Sequence, residues 1–250
     1  MHDTFQHKFL TSKGLLIFVP TKKGRDRGEK ITKAILNRWT PPDHFFHFQA
    51  GGHVAAARIH LSSPYFARLD IKSFFDSITR SKIYRGLRTI GFSHSEARDF
   101  TYDSVVHKKA RAGFSLPFGF VQSPLLASVA LDCSALGAAF RAAGAVKCSV
   151  YVDDILFSAD TEAVLQGFQE NLADAAQLAN FELHKAHSGP TVEAFNLKIT
   201  RGYMEVTAAR MEEFSLVERT LTGQREEAIV QYVEGINLHQ GTGLRALYGI

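Results

Sequence analysis

Residues 148–160 read CSVYVDDILFSAD. Short apolar stretches flank the pair Asp153-Asp154, so the segment reads as two strands joined at a tight turn, with both carboxylates at the turn. Asp favours turns, and an Asp pair there is common by itself. Its cost makes it informative, because adjacent anions repel and raise one another's pKa unless a cation is present. A hard divalent ion such as Mg²⁺ meets that need, taking one or two carboxylates and filling its shell with water and substrate phosphates. Bridging two such ions calls for another acid. Asp70 is the candidate, because it ends the strand-like stretch FARLD at 66–70. Two ions about 3.5–4 Å apart clamp the attacking and leaving oxygens of an in-line phosphoryl displacement.

Working outward, FARLDIKSFFDSI (66–78) reads as a strand running into a turn, and SKIYRGLRTI (81–90) carries apolar residues at helical spacing. LLIFVP (15–20) is an apolar run ended by Pro20, TKKGRDRG (21–28) reads as a basic turn, and EKITKAILNRW (29–39) as a helix. After Pro124, LLASVALDCSALGAAFRAAG (125–144) reads as one helix of small residues; TEAVLQGFQENLADAAQLAN (161–180) and EEAIVQYVEGI (226–236) are further helices. Strands mixed with long helical excursions make an α+β pattern, and no Pro/Gly/Ser linker divides it.

Composition excludes several classes. With 45% hydrophobic and 22% charged residues in 250, the chain is that of an ordinary globular protein, not a disordered or collagen-like one. No apolar run approaches the roughly 20 residues of a membrane span, and the start MHDTFQHKFLTSKG lacks a hydrophobic leader, so a cytoplasmic location without membrane contact is expected. Cys133 and Cys148 are too few for a disulfide framework or a four-cysteine zinc site, and His184 and His187 lack a third ligand at suitable spacing. Charge is polarised: residues 1–150 carry 22 Lys+Arg against 10 Asp+Glu, whereas residues 151–250 carry 7 against 15. A basic front half suits a polyanion.

FARLDIKSFFDSI, LPFGFVQSPLLASVAL (116–131) and YVDDILFS (151–158), in this order, resemble the palm motifs of reverse transcriptases of the retron, group II intron and bacterial defence type. HFQAGGHVAAARIHL (47–61) resembles the segment before the first palm aspartate, NFELHKAHS (180–188) the lysine-bearing motif, and FNLKITRGYMEVTAARMEEF (195–214) the primer-grip region. The resemblance covers roughly residues 15 to 214. It implies a right-hand polymerase fold with fingers (1–69), a palm whose antiparallel sheet is backed by helices (70–205, with inserted finger helices) and a very short helical thumb-like region (206–250).

By the same resemblance, Asp70, Asp153 and Asp154 form the metal triad for two Mg²⁺ ions, with Mn²⁺ as substitute, and the backbone carbonyl of Ile71 adds a ligand. Phe75 takes the position of a steric gate, an aromatic ring that leaves no room for a 2′-hydroxyl and so selects deoxynucleotides. Phe74, on the opposite side of an extended strand, is the core residue, and Asp76 a local turn or capping acid. Phe118 stands where the family commonly has Gln, so nucleotide placement leans on stacking or on another polar group such as Gln122. Gly119 permits close approach of backbone to base pair. Ser123-Pro124 opens the next helix. Lys22, Lys23, Arg25 and Arg27 occupy the fingers position that reaches the triphosphate. Lys185 matches a lysine that protonates the departing pyrophosphate, and His53 and His60 read as structural hydrogen bonders or template-backbone contacts.

The last stretch is acidic, with Glu218, Glu226, Glu227 and Glu234 against Arg219, Arg225 and Arg245, where a duplex-gripping thumb should be basic. No endonuclease, integrase or ribonuclease H module is recognisable. The expected function is an RNA-directed DNA polymerase extending a 3′-hydroxyl with dNTPs on an RNA template. It would serve a bacterial antiviral defence system, with a structured non-coding RNA, a partner protein or further copies of the chain supplying the missing grip. The alternatives are a polymerase-derived nucleic-acid-binding module and untemplated or protein-primed DNA synthesis.

Overall fold

A computed structural model describes residues 4–12, 14–107, 113–217 and 223–250. In chain order the first elements are β1 (Phe5–Leu10), β2 (Leu16–Pro20), α1 (Lys22–Leu36), α2 (Gly52–Arg58), β3 (Tyr65–Asp70), α3 (Phe74–Ser77), α4 (Arg80–Thr89), α5 (His94–Ser104), β4 (Val106–His107) and β5 (Phe114–Ser115). Then follow α6 (Ser123–Asp132), α7 (Ala135–Arg141), β6 (Lys147–Tyr151), β7 (Asp154–Ala159), α8 (Glu162–Leu178), β8 (His187–Gly189), β9 (Thr191–Ala194), β10 (Leu197–Thr200), β11 (Tyr203–Val206), α9 (Ala208–Ser215), α10 (Gln224–Glu234) and α11 (Leu238–Tyr248).

The chain forms two compact units, and both are discontinuous: residues 1–45, 71–142 and 170–184 make the first, and residues 46–70, 143–169 and 185–250 the second. This division cuts across the contiguous spans 1–69, 70–205 and 206–250. The reason is the sheet. β3 pairs with β7, so residues 46–70 join the hairpin at 147–159 and not the segments before them.

In the second unit four antiparallel strands run in the order β6-β7-β3-β8, and three more in the order β11-β10-β9. β3 is buried on both faces at Phe66 and Ala67 and alternates at its end, with Leu69 buried between the part-exposed Arg68 and Asp70. Phe66 and Leu156 of the first sheet, and Leu197, Ile199 and Val206 of the second, share one apolar core with Phe214, Val230, Val233, Leu244 and Tyr248 of the last three helices. Helices α9, α10 and α11 are therefore packed by their apolar faces, and their charges partly serve one another: Arg245 donates to Glu227 at 3.0 Å and to Glu234 at 3.0 Å. Glu218 and Arg219 lie outside the described residues.

In the first unit α6 is buried at every residue but Pro124, and Ile31, Ile35, Phe45, Ile83 and Leu87 fill the interior. Three local expectations are corrected here. Residues 22–28 are the start of α1, not a turn. The Thr21 hydroxyl caps the helix by accepting from the Gly24 N–H at 3.0 Å, and Gly28 is there for close packing, since a Cβ on it would meet Gln122 Oε1 at 2.3 Å. Residues 125–144 form not one helix but α6 and α7, bent by 74° where Ser134 caps the second. Pro124 opens α6 as expected. Phe74 and Phe75 lie on the short helix α3, not on an extended strand, and both are buried. Among the described residues no single helix is long and apolar enough to cross a membrane.

Candidate nucleotidyl-transfer site

The β6–β7 hairpin turns through Val152 and Asp153 alone, and Asp154 is already the first residue of β7. Val152 has φ +62°, and Asp153 is not among the residues of positive φ, the pattern of a type II′ turn. A β-branched residue there is strained by roughly 1–3 kcal/mol, and such strain persists only where neighbours over-determine it. His47 is one such neighbour: the Val152 N–H donates to its Nδ1 at 3.2 Å. Burial pushes the His47 pKa down to about 4, which keeps that nitrogen an acceptor. The rings of His47, His53 and Phe195 stand edge-on to Tyr151 at centroid distances of 6.0, 5.8 and 5.9 Å.

The register then brings the acids together. Asp70, the last residue of β3, pairs with Asp154, so the two side chains leave the sheet on one face. Arg68, two residues earlier on that face, donates from Nε and Nη2 to Asp154 Oδ1 at 2.9 and 2.6 Å, and from Nη1 to the Glu193 carbonyl at 3.4 Å. Asp153 has its pKa pushed up to about 6, first by burial and then by the charges of Asp70 and Asp154, against a hydrogen bond from its own backbone N–H and, more weakly, the charge of Arg68. Behind the hairpin His60 is fully buried, its Nδ1 2.8 Å from Ser158 Oγ and its Nε2 2.9 Å from Ser149 Oγ. Ser158 Oγ donates onward to Ser63 Oγ at 3.0 Å and Ser149 Oγ to the Leu156 carbonyl at 3.5 Å, so the ring sits inside a closed set of buried hydroxyls. His60 is thus a structural hydrogen bonder, and His53 likewise meets Tyr232 Oη through Nε2 at 2.8 Å.

Among the described residues no three His, Cys, Asp or Glu side chains close on one point as a metal cage does. The donors are nonetheless all carboxylate, and the half-buried Asp153 carries a charge that its surroundings disfavour. That set fits a hard ion which keeps part of its shell for water and substrate phosphate.

The remaining sequence candidates divide as follows. Ile71 is buried and bridges to Leu183. In the first unit Phe75 is 9% exposed and its ring lies 4.5 Å from that of Phe118. Gly119 has φ +100°, and a Cβ there would come within 2.2 Å of the Phe18 carbonyl oxygen. Gln122 is corrected: it is 2% exposed, and its amide donates to the Asp103 carbonyl at 3.4 Å and to Ser104 Oγ at 3.3 Å, so it ties α5 to α6 and offers no group to a nucleotide. Lys22 pairs with Asp26 at 2.9 Å and Arg27 with Asp103 at 2.7 Å, while Lys23 and Arg25 are exposed on α1. Lys185 is exposed between α8 and β8. Asp76 accepts from Ser115 Oγ at 3.1 Å.

Two features escaped the sequence reading. Arg68 was findable, since residue i−2 of a strand shares the face of Asp70. The other is a cavity of about 810 Å³ in the first unit, lined among others by Leu15, Phe18, Lys72, Lys82, Arg85 and Phe118. Lys82 and Arg85 stand one turn apart on α4, and Lys72, between β3 and α3, is paired with Glu182 at 2.6 Å. Lys82 is spoken for there, its ammonium 3.5 Å from the Phe181 ring centroid and donating to the Asn180 carbonyl at 2.9 Å.

Residues 17–190 match the family model described as reverse transcriptase (RNA-dependent DNA polymerase). The curated proteins contain no match. Among solved structures, a telomerase from Candida tropicalis in complex with a TWJ fragment of telomeric RNA is similar with TM-score 0.59 and 11% identity, over 98% of this chain and 53% of that one. The corresponding telomerase complex from Candida albicans has TM-score 0.52 and 10% identity, over 92% and 43%. The RNA polymerase complex inside a dsRNA virus has TM-score 0.55 and 11% identity, over 78% and 21%. Identities this low carry the fold alone, and the chain spans about half or less of the length of each.

Proposed function

The chain belongs to the reverse transcriptase (RNA-dependent DNA polymerase) family and has a right-hand polymerase fold, and from that premise we propose that it extends a 3′-hydroxyl with dNTPs on an RNA template by two-ion catalysis at Asp70, Asp153 and Asp154. The observation that carries this reading is the pairing of Asp70 with Asp154, next to an Asp153 whose charge is disfavoured by burial. Mg²⁺, or Mn²⁺ in its place, would activate the attacking hydroxyl and neutralise charge on the leaving pyrophosphate. The protein's share is placement. β3 and β7 hold Asp70 and Asp154, the strained turn holds Asp153, and the Ile71 carbonyl is assigned as a further ligand by resemblance. By the same resemblance Phe75 is assigned to the sugar, Lys185 to the leaving group, and Lys22, Lys23, Arg25 and Arg27 to the triphosphate.

Incorporation of labelled dNTP on an RNA template with a DNA primer and Mg²⁺ tests the reading. Asp153→Ala is expected to lose at least about 100-fold, near 2.7 kcal/mol of transition-state stabilisation at 1.36 kcal/mol per decade. Equal incorporation by both proteins contradicts it, and nucleic-acid binding without incorporation by either points to a binding module.

The finer assignment is a cytoplasmic enzyme of a bacterial antiviral defence system working with a dedicated RNA, a partner protein or further copies of itself. Its support is the motif order shared with retron and group II intron proteins. The cytoplasm also holds the dNTPs. One abundant RNA among copurifying nucleic acids is the expected result, and a heterogeneous mixture would contradict the dedicated template.

A further inference from the structure

Arg68 stands inside the acidic cluster, and the geometry of its pairing is specific. Nε and Nη2 both end on Oδ1 of Asp154, at 2.9 and 2.6 Å, and do not spread across the two carboxylate oxygens as a side-by-side fork does. The Oδ2 atom stays outside the ion pair. The guanidinium is braced on its far side by the Glu193 carbonyl of β9 at 3.4 Å. It is also neither freely solvated nor sealed in: the side chains of Arg68 and Asp154 are 35% and 24% exposed. A surface ion pair between mobile side chains contributes little. This one is short, has two donors on one acceptor atom, and grows from the same strand as Asp70.

We infer that Arg68 is a positioning residue for Asp154, orienting the carboxylate through Oδ1 so that Oδ2 is left to the divalent ion, and this inference rests on the two-ion reading above. Groups that hydrogen-bond a metal-ligating side chain commonly govern affinity without touching the metal, and their removal costs about 10- to 100-fold in binding. Two other roles make opposite predictions. A guanidinium that merely occupies the ion's place would compete with it, and its loss would tighten binding. One that only ties β3 to β9 would alter stability and leave affinity alone.

Isothermal titration of Mn²⁺ into EDTA-stripped protein separates the three. Arg68→Met is expected to weaken Mn²⁺ binding by about 10- to 100-fold, and Arg68→Lys, which keeps a cation but loses the paired donors, to weaken it by less. Tighter binding in Arg68→Met, or unchanged affinity with a lowered melting temperature, overturns the inference. Should Arg68→Met not fold, the Lys variant decides by the same criterion: weaker Mn²⁺ binding supports the role, and unchanged or tighter binding overturns it. Failure of the unsubstituted protein to bind Mn²⁺ would instead overturn the two-ion reading on which this rests.

Discussion

His60 is buried between two serine hydroxyls, and burial pushes its pKa down to about 3, so the folded protein holds it neutral while the unfolded chain takes up a proton near pH 6.5. With the folded pKa below the unfolded one, its contribution to stability is fully present above about pH 6.5 and is lost progressively as pH falls toward 3. His47, at about 4, acts with the same sign. Thermal melts should therefore show His60→Gln less stable than the parent at about pH 7.5, and losing less than the parent on acidification to about pH 5. Parallel pH profiles would contradict the neutral, doubly bonded histidine. Phe75 supports a separate prediction: Phe75→Val should raise the ratio of rNTP to dNTP incorporation by about tenfold or more, roughly 1.4 kcal/mol of discrimination. An unchanged ratio would reduce Phe75 to a core residue stacked on Phe118. At this scale the placement of Asp70 at a strand end and of Asp153 and Asp154 at a hairpin was legible, because a strand and a hairpin turn can be read from local pattern. Gln122 was misread because its partners, Asp103 and Ser104, come from another segment and nothing around residue 122 announces them.

At the scale of elements, the strands that carry the acids could be placed within a residue or two, since β3, β6 and β7 are apolar runs with clear ends. The start of α1 could not. Lys22 to Gly28 holds two glycines among charges, which is turn chemistry by composition, yet Thr21 caps a helix there. Gly24 and Gly28 are required by neighbours distant in sequence, with a Cβ on Gly24 meeting the Thr4 carbonyl oxygen at 2.1 Å. The same logic makes Gly119 a sharp test of the contact between β2 and the 116–119 segment, where the Phe18 N–H donates to the Phe118 carbonyl at 2.8 Å. Gly119→Ala meets both an unfavourable φ and a backbone oxygen, so denaturant unfolding should show a loss of at least about 2 kcal/mol. A loss below about 0.5 kcal/mol would mean the backbone there has room to shift.

Over the whole molecule, the excess of Lys and Arg in residues 1–150 was readable from counting, while the interleaving of the two units was not, because it depends on which strands pair across long separations. The charge asymmetry predicts salt-sensitive binding of single-stranded RNA. A plot of log affinity against log salt should have a slope steeper than about −2, the release expected from three or more phosphate contacts at roughly 0.7 each. A flat plot would remove the basic half as a nucleic-acid surface. The central claim is more local, namely that Asp70, Asp153 and Asp154 hold the ions of nucleotidyl transfer. Crystals soaked with Mn²⁺ and a non-hydrolysable dNTP test it by anomalous diffraction: the account predicts peaks against the carboxylates of these three residues, and nucleotide density with manganese bound elsewhere would contradict it.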